Sequence, residues 1–69
     1  MTKDQVYRGW FVQAVVDVNV PGGPWRMFIR SPGSSWAKCM GLAKSLEGDQ
    51  ALEEAKQKVD QMIAWRKTT

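Results

Sequence analysis

The sequence predicts an α+β domain in which an antiparallel sheet of two or three strands packs on one C-terminal amphipathic helix. Two segments rich in valine and aromatic residues alternate with a period of two, which is typical of half-buried strands. A loop of strong turn formers joins them. The last third of the chain carries an apolar stripe with helical spacing.

The first strand is predicted within residues 7–19, YRGWFVQAVVDVN. From Trp10 onward every second residue is apolar, and the intervening positions mix Phe11 with polar residues. This alternation indicates a strand with one buried face. The loop 20–24, VPGGP, then turns the chain into an antiparallel hairpin.

The second strand is predicted in the segment PWRMFIRSP, residues 24–32. Alternation divides it into an apolar face (Trp25, Met27, Ile29) and a face with a phenylalanine between two arginines (Arg26, Phe28, Arg30). A register that joins Val18 to Trp25 would place Arg26 opposite Asp17 and Phe28 opposite Val15. Such cross-strand pairs offer a purely structural explanation of the second face.

Residues 35–43, SWAKCMGLA, are either a third strand or the approach to the helix. A strand is favoured because the Pro32-Gly33 turn is of the kind that reverses a chain between strands. A shift of one residue would exchange its two faces. If Lys38 is kept out of the core, Trp36 and Met40 lie beside it on the outer face, and Ala37 and Cys39 point inward.

Residues 49–66 predict the helix, with Asp49 or Ser45 as its N-cap. Its stripe consists of Leu52, Ala55, Val59, Met62 and Ile63. One helix covers only one face of a sheet. The predicted core therefore joins this stripe to Trp10, Val12, Ala14, Val16, Trp25, Met27 and Ile29. The other face of the sheet is predicted to stay uncovered.

Length and composition indicate one small domain over residues 6–69, preceded by a disordered polar segment over residues 1–5. The net charge is +3, and residues 1–46 hold six basic and only two acidic side chains. An acidic partner would suit that part of the chain. No apolar run is long enough for a membrane span or a signal peptide, so a cytoplasmic protein is expected.

The uncovered face predicts a binding or accessory module that acts by protein–protein contact, either as a homodimer or by docking on a larger target. Nucleic-acid binding through the same basic and aromatic face is the alternative. The predicted partner-binding residues are Arg26, Phe28, Arg30, Phe11, Trp36 and Lys38.

No catalysis, cofactor, metal or membrane contact is expected. The chain has no histidine, and its single cysteine, Cys39, has no evident base beside it. One cysteine without histidine argues against a zinc site, and it excludes an internal disulfide. The loop 20–24 lacks the GK[ST] ending of a phosphate-binding loop, and no helix is predicted directly after it.

The motif GGPW, the basic and aromatic strand after it, and a helix start of the pattern LExxxALEEA resemble the small sheet-plus-helix domains at the N-termini of phage-type integrases. The resemblance covers about half of the chain and rests on Trp25, Arg26, Arg30, Leu46, Glu47, Ala51 and Ala55. Those domains bind DNA through the sheet. The resemblance therefore implies DNA contacts for Arg26, Arg30 and Lys38.

Overall fold

The computed structural model describes residues 2–16 and 24–67. Within them the chain forms four strands and one helix: β1 (Thr2–Tyr7), β2 (Trp10–Val15), β3 (Arg26–Arg30), β4 (Lys38–Leu42) and α1 (Gly48–Lys67). The strands make one antiparallel sheet in the order β1-β2-β3-β4. The α+β class with one C-terminal helix is confirmed, whereas the predicted count of two or three strands is wrong.

The strand missing from the sequence prediction is β1, which includes residues 2–5 of the segment that the sequence predicts to be disordered. A two-residue turn, Arg8-Gly9, joins β1 to β2, and Tyr7 pairs with Trp10 across it. The backbone φ angles are 53° at Arg8 and 84° at Gly9. Positive φ at both central residues is the type I′ turn, whose twist matches that of the flanking strands. Gly9 adopts this conformation without a steric cost.

Contacts with α1 hold β1 in place at both of its ends. The Tyr7 hydroxyl lies 3.0 Å from each carboxylate oxygen of Asp60, 53 residues later in the chain. The Arg8 guanidinium donates to the same carboxylate at 2.8 Å. Near the other end of β1, Lys3 pairs with Asp49 at 3.2 Å. Because these partners are distant in sequence, no local pattern within residues 2–7 predicts the strand.

The core lies between α1 and one face of the sheet. The predicted sheet residues Trp10, Val12, Ala14, Trp25, Met27 and Ile29 are all buried, and so are Leu52, Ala55 and Val59 of the helix. Val16, Met62 and Ile63 are partly buried against the core. These predictions are confirmed, and the structure adds Ala43 and Ala51 to the core.

The β2–β3 pairing places Val15 opposite Arg26 and Gln13 opposite Phe28. The alternative register that joins Val18 to Trp25, with Phe28 opposite Val15, is therefore wrong by two residues. Asp17, the predicted partner of Arg26, lies outside the described residues, as does most of the predicted loop 20–24. A shift of two residues leaves every side chain on its original face, so the predicted core residues are the same in both registers.

The predicted third strand exists as β4, but its predicted faces are wrong. Lys38 lies opposite Ile29, and Cys39 lies opposite Phe28. Lys38 is therefore on the helix side of the sheet, and Cys39 on the other side. The pairing shifts by one residue between Phe28 and Met27, so Met40 is an extra residue that packs against the core. A prediction that assumes strict alternation of the two faces does not anticipate a one-residue bulge of this kind.

The helix prediction over residues 49–66 is confirmed, and α1 is one residue longer at each end. Of the two expected N-caps, Asp49 lies inside the first turn. The Ser45 hydroxyl accepts from the N–H of Glu47, just before the helix. Further along, the Glu54 carboxylate accepts from the N–H groups of Lys44 and Ser45, at 2.8 and 2.9 Å. A helix side chain thus fixes the loop that leads into the helix.

Two helix carboxyl groups make the stability of the fold sensitive to acid. Hydrogen bonds from the backbone N–H groups of Lys44 and Ser45 hold the pKa of Glu54 below its ordinary value near 4.5. The Arg8 guanidinium, with a smaller effect from the Tyr7 hydroxyl, holds the pKa of Asp60 below its ordinary value near 3.8. As the pH falls below these ordinary values, the unfolded chain takes up protons before the folded chain does. The stability that the two carboxylates supply is therefore present above that range and lost as the pH falls through the folded pKa values.

The double variant Glu54→Gln, Asp60→Asn is expected to be less stable than the wild type at neutral pH, and the difference should shrink as the pH falls below about 4.5. Urea unfolding followed by circular dichroism at a series of pH values measures this. Glu53→Gln serves as the control, because that carboxylate pairs with Lys56 on the same helix. If the free energy of unfolding falls equally steeply with decreasing pH in the double variant and in the wild type, the prediction is wrong.

Candidate functional site

Alternate residues of all four strands form the side of the sheet that is turned away from α1. The strand registers arrange them in three rows across the sheet. Taken from β1 towards β4, the rows are Val6, Phe11 and Arg30; Asp4, Gln13, Phe28 and Cys39; and Thr2, Val15, Arg26 and Leu42. These residues are called the open face.

No element of the described residues covers the open face. The helix packs on the opposite side, against β1, β2 and β3, and no residue of the open face is buried. Phe11 and Phe28 are half-buried by their neighbours, while Val6 is 67% exposed and Leu42 is 58% exposed. The open face therefore exposes apolar side chains that are interspersed with polar and charged ones.

The two arginines of the open face are exposed, and neither forms an ion pair within residues 2–16 and 24–67. The guanidinium of Arg30 lies over the ring of Phe11, 5.3 Å from its centroid. This is a cation–π contact across β2 and β3. Asp4 is the single acidic residue of the open face, which is therefore mainly apolar and weakly basic.

One end of the open face is concave. Val6, Phe11 and Arg30 form one wall of a groove of about 560 Å³, and residues 31–35 form the other. The Ser34 N–H donates to the Ser31 carbonyl oxygen at 3.1 Å, which closes the turn between β3 and β4. The open face thus ends in a concave surface.

Two of the six predicted partner-binding residues lie elsewhere. Lys38 follows the register of β4 to the helix side, and Trp36 precedes it in the chain. Both line a second groove, of about 260 Å³, together with Trp10, Met62 and Arg66. This second groove is called the helix-side groove. The prediction that Trp36 and Lys38 lie beside Arg26 and Phe28 is wrong, because the bulge at Met40 reverses the faces at the start of β4.

The structure brings together the other four predicted residues, Phe11, Arg26, Phe28 and Arg30, on β2 and β3. Sequence reasoning missed the open-face residues of β1, namely Thr2, Asp4 and Val6. The dipeptide Arg8-Gly9 between Tyr7 and Trp10 is a weak signal of the hairpin, because its turn type favours asparagine, aspartate or glycine before the glycine. Leu42 also lies on the open face, opposite Arg26, and was not among the predicted partner-binding residues.

Within residues 2–16 and 24–67, no three histidine, cysteine, aspartate or glutamate side chains are grouped so that they could hold a metal ion. In the same part of the chain, no helix is both long enough and apolar enough to cross a membrane.

Comparison with known proteins found no matching family model, no similar curated protein and no similar solved structure. The resemblance to integrase N-terminal domains is not tested by these comparisons and stays a prediction.

Proposed function

We propose that this protein is a small non-catalytic binding module that acts by protein–protein contact through the open face. The observation that carries this proposal is the set of apolar and arginine side chains that no described element covers. Phenylalanine and arginine are enriched at the centres of protein interfaces, where they supply buried area and directed hydrogen bonds. A chain of 69 residues also has little core of its own, so added burial at an interface would stabilise it.

The charges on the open face favour a protein partner over a nucleic acid. Arg26 and Arg30 are its two cations, and Asp4 offsets one of them. Binding to nucleic acid depends mainly on many contacts with phosphates, and Lys38, a predicted contributor, is on the other side of the sheet. The Arg30 guanidinium also occupies one face of the Phe11 ring, where a base would have to stack.

The partner that fits this surface best is a second copy of the chain. On β2 the open face is largely apolar, with Phe11 and Val15, whereas β3 carries Arg26 and Arg30. A twofold axis parallel to the strands lays β2 of one copy over β3 of the other, so that aromatic and aliphatic groups meet guanidinium groups and their stems. An axis perpendicular to the strands would place Arg26 against Arg30 of the second copy, and the two positive charges would repel.

Light scattering tests self-association directly. A mass close to twice the chain mass of 7.8 kDa is expected at high concentration, with dissociation on dilution. The variant Phe28→Ala, Arg30→Glu should remain folded by circular dichroism and should be monomeric at every concentration, because both side chains are at least partly exposed. A wild-type chain that stays monomeric throughout contradicts the homodimer and leaves docking on a larger target as the form of the proposal.

The position of the single cysteine, Cys39, allows a test of the proposed dimer geometry. Cys39 is exposed at the β4 margin of the open face. With the axis parallel to the strands, the two Cys39 residues are at opposite margins, about 17 Å apart, given roughly 4.8 Å between strands and about 10 Å between sheets. Spin labels on Cys39 should show this separation, and oxidation should not cross-link the dimer. Rapid formation of a disulfide would contradict the proposed axis.

The nucleic-acid alternative has its own test. Labelled single-stranded and double-stranded DNA would be titrated at two salt concentrations, and no binding dependent on Arg26 is expected. Binding that weakens steeply with salt and is lost in Arg26→Ala would contradict the proposal, because phosphate contacts produce that salt dependence.

A further inference from the structure

The helix-side groove is a second surface, separate from the open face. Its floor is apolar and comes from three elements: Trp10 of β2, Ile29 of β3 and Met62 of α1. Trp10 and Ile29 are buried, so the floor is fixed by the core. Trp36 stands at the edge and is 82% exposed, although it is one of the largest apolar side chains in the chain. The volume of about 260 Å³ suits one large side chain of a partner.

The charged residues that line the helix-side groove are all positive. Lys38 and Arg66 lie on its rim, and among the described residues no aspartate or glutamate lines it. On α1, Glu54 lies two turns before Met62, and its carboxylate is engaged by the N–H groups of Lys44 and Ser45. The Arg66 guanidinium lies 5.1 Å from the centroid of Trp10, which keeps it at the groove. A partner that enters here would be stabilised by negative charge.

The groove adjoins a free edge of the sheet. Lys38 is the first residue of β4, and β4 is the last strand in the order β1-β2-β3-β4. Within the described residues no strand pairs with its outer side. Unpaired N–H and C=O groups along an edge strand are a template for an extended peptide, which adds to the sheet as a further strand.

We propose that the helix-side groove binds an extended acidic peptide segment of a partner protein, which pairs with the outer edge of β4. One apolar side chain of the segment enters the groove between Trp36 and Met62. Carboxylates next to it pair with Lys38 and Arg66. An apolar floor, a cationic rim and a free strand edge are each matched by this single class of ligand. A nucleic acid would use the cations and Trp36 but has no peptide groups to pair with β4.

Selection from a display library of short random peptides, at about physiological salt, tests this proposal on the full chain. We expect enrichment of peptides that carry several aspartate or glutamate residues around one large apolar residue. Trp36→Ala and Lys38→Glu should each weaken the binding of a selected peptide by about tenfold or more. Both side chains are exposed, so both variants should fold. In NMR spectra, the selected peptide should shift the amide signals of β4 and the indole signal of Trp36.

Several results would overturn the proposal. These are an absence of enrichment, an enrichment of basic peptides, unchanged affinity in both groove variants, and amide shifts confined to the open face. Displacement of the selected peptide from the groove by oligothymidine at equal concentration would show that the site is for nucleic acid. Phe28→Ala on the open face is the matched control and should leave peptide affinity unchanged. Because this control alters only the open face, failure at the groove is distinguishable from failure of the proposed dimer.

Discussion

Replacing Trp25 with alanine is expected to leave this chain largely unfolded at room temperature. Trp25 is 7% exposed, and its indole N–H donates to the Leu46 carbonyl oxygen at 3.0 Å, which ties β3 to the loop before α1. Loss of a buried tryptophan typically costs about 3–5 kcal/mol. A single core in a chain of this length rarely supplies more than about 3–5 kcal/mol in total. The substitution therefore removes about as much free energy as the fold possesses.

Urea unfolding followed by far-ultraviolet circular dichroism measures this effect without depending on tryptophan fluorescence. The matched control is Trp36→Ala, which deletes the same side chain at a position that is 82% exposed and should lower the midpoint only slightly. Equal midpoints for the two variants would contradict the assignment of Trp25 to the core.

Gly48→Ala tests the same contact from the helix side. Alanine is favoured over glycine by about 1 kcal/mol in a helix interior, and by less at Gly48, which is the first residue of α1. A β-carbon at position 48 would, however, lie 2.8 Å from the Trp25 ring and from the Lys3 side chain. Overpacking of this kind typically costs about 1–3 kcal/mol, so we expect the variant to be destabilised. A rise in the unfolding midpoint would mean that the helix and the ring are not this close.

Ile29→Ala and Phe28→Ala are expected to affect different properties of the protein, although the two residues are neighbours on β3. Ile29 is 1% exposed and faces α1, so its truncation should cost about 2–5 kcal/mol. Phe28 faces away from the helix and is only half-buried. Its loss removes cross-strand contacts that are worth about 0.2–1 kcal/mol each. The first variant should lose stability, and the second should stay folded and lose self-association.

Equilibrium unfolding gives the stability of each variant, and light scattering gives the mass of Phe28→Ala. If Phe28→Ala were as unstable as Ile29→Ala while monomeric, Phe28 would belong to a second core and not to a binding surface. Because a dimer adds interface burial to the apparent stability, the comparison should be made at a concentration where the wild type is monomeric.

These predictions address two surfaces that have different origins. The open face is exposed because the helix packs on one side of a four-stranded sheet, and no other element of the described residues forms a layer on the other side. The helix-side groove exists because α1 packs on β1, β2 and β3 and leaves space beside β4. One surface suits a large flat contact, and the other suits a single inserted side chain.

The amino-acid sequence is sufficient to predict the helix, the strands β2 and β3, and the buried side of these two strands. These features follow from periodicity, because a period of two or of 3.6 residues sorts side chains into faces wherever one face must leave water. The error in the β2–β3 register was harmless for the same reason: a shift of two residues keeps Phe28 outward and Ile29 inward.

The existence of β1 and the faces of β4 depend on contacts between segments that are distant in the chain. β1 has little apolar content of its own, and contacts to Asp49 and Asp60, far along the chain, hold it in place. At β4, one extra residue, Met40, moves Lys38 to the helix side and so places a predicted residue of the open face in the helix-side groove. Local sequence patterns report which side chains avoid water. They do not report a bulge or an ion pair, since both depend on which distant segment lies alongside.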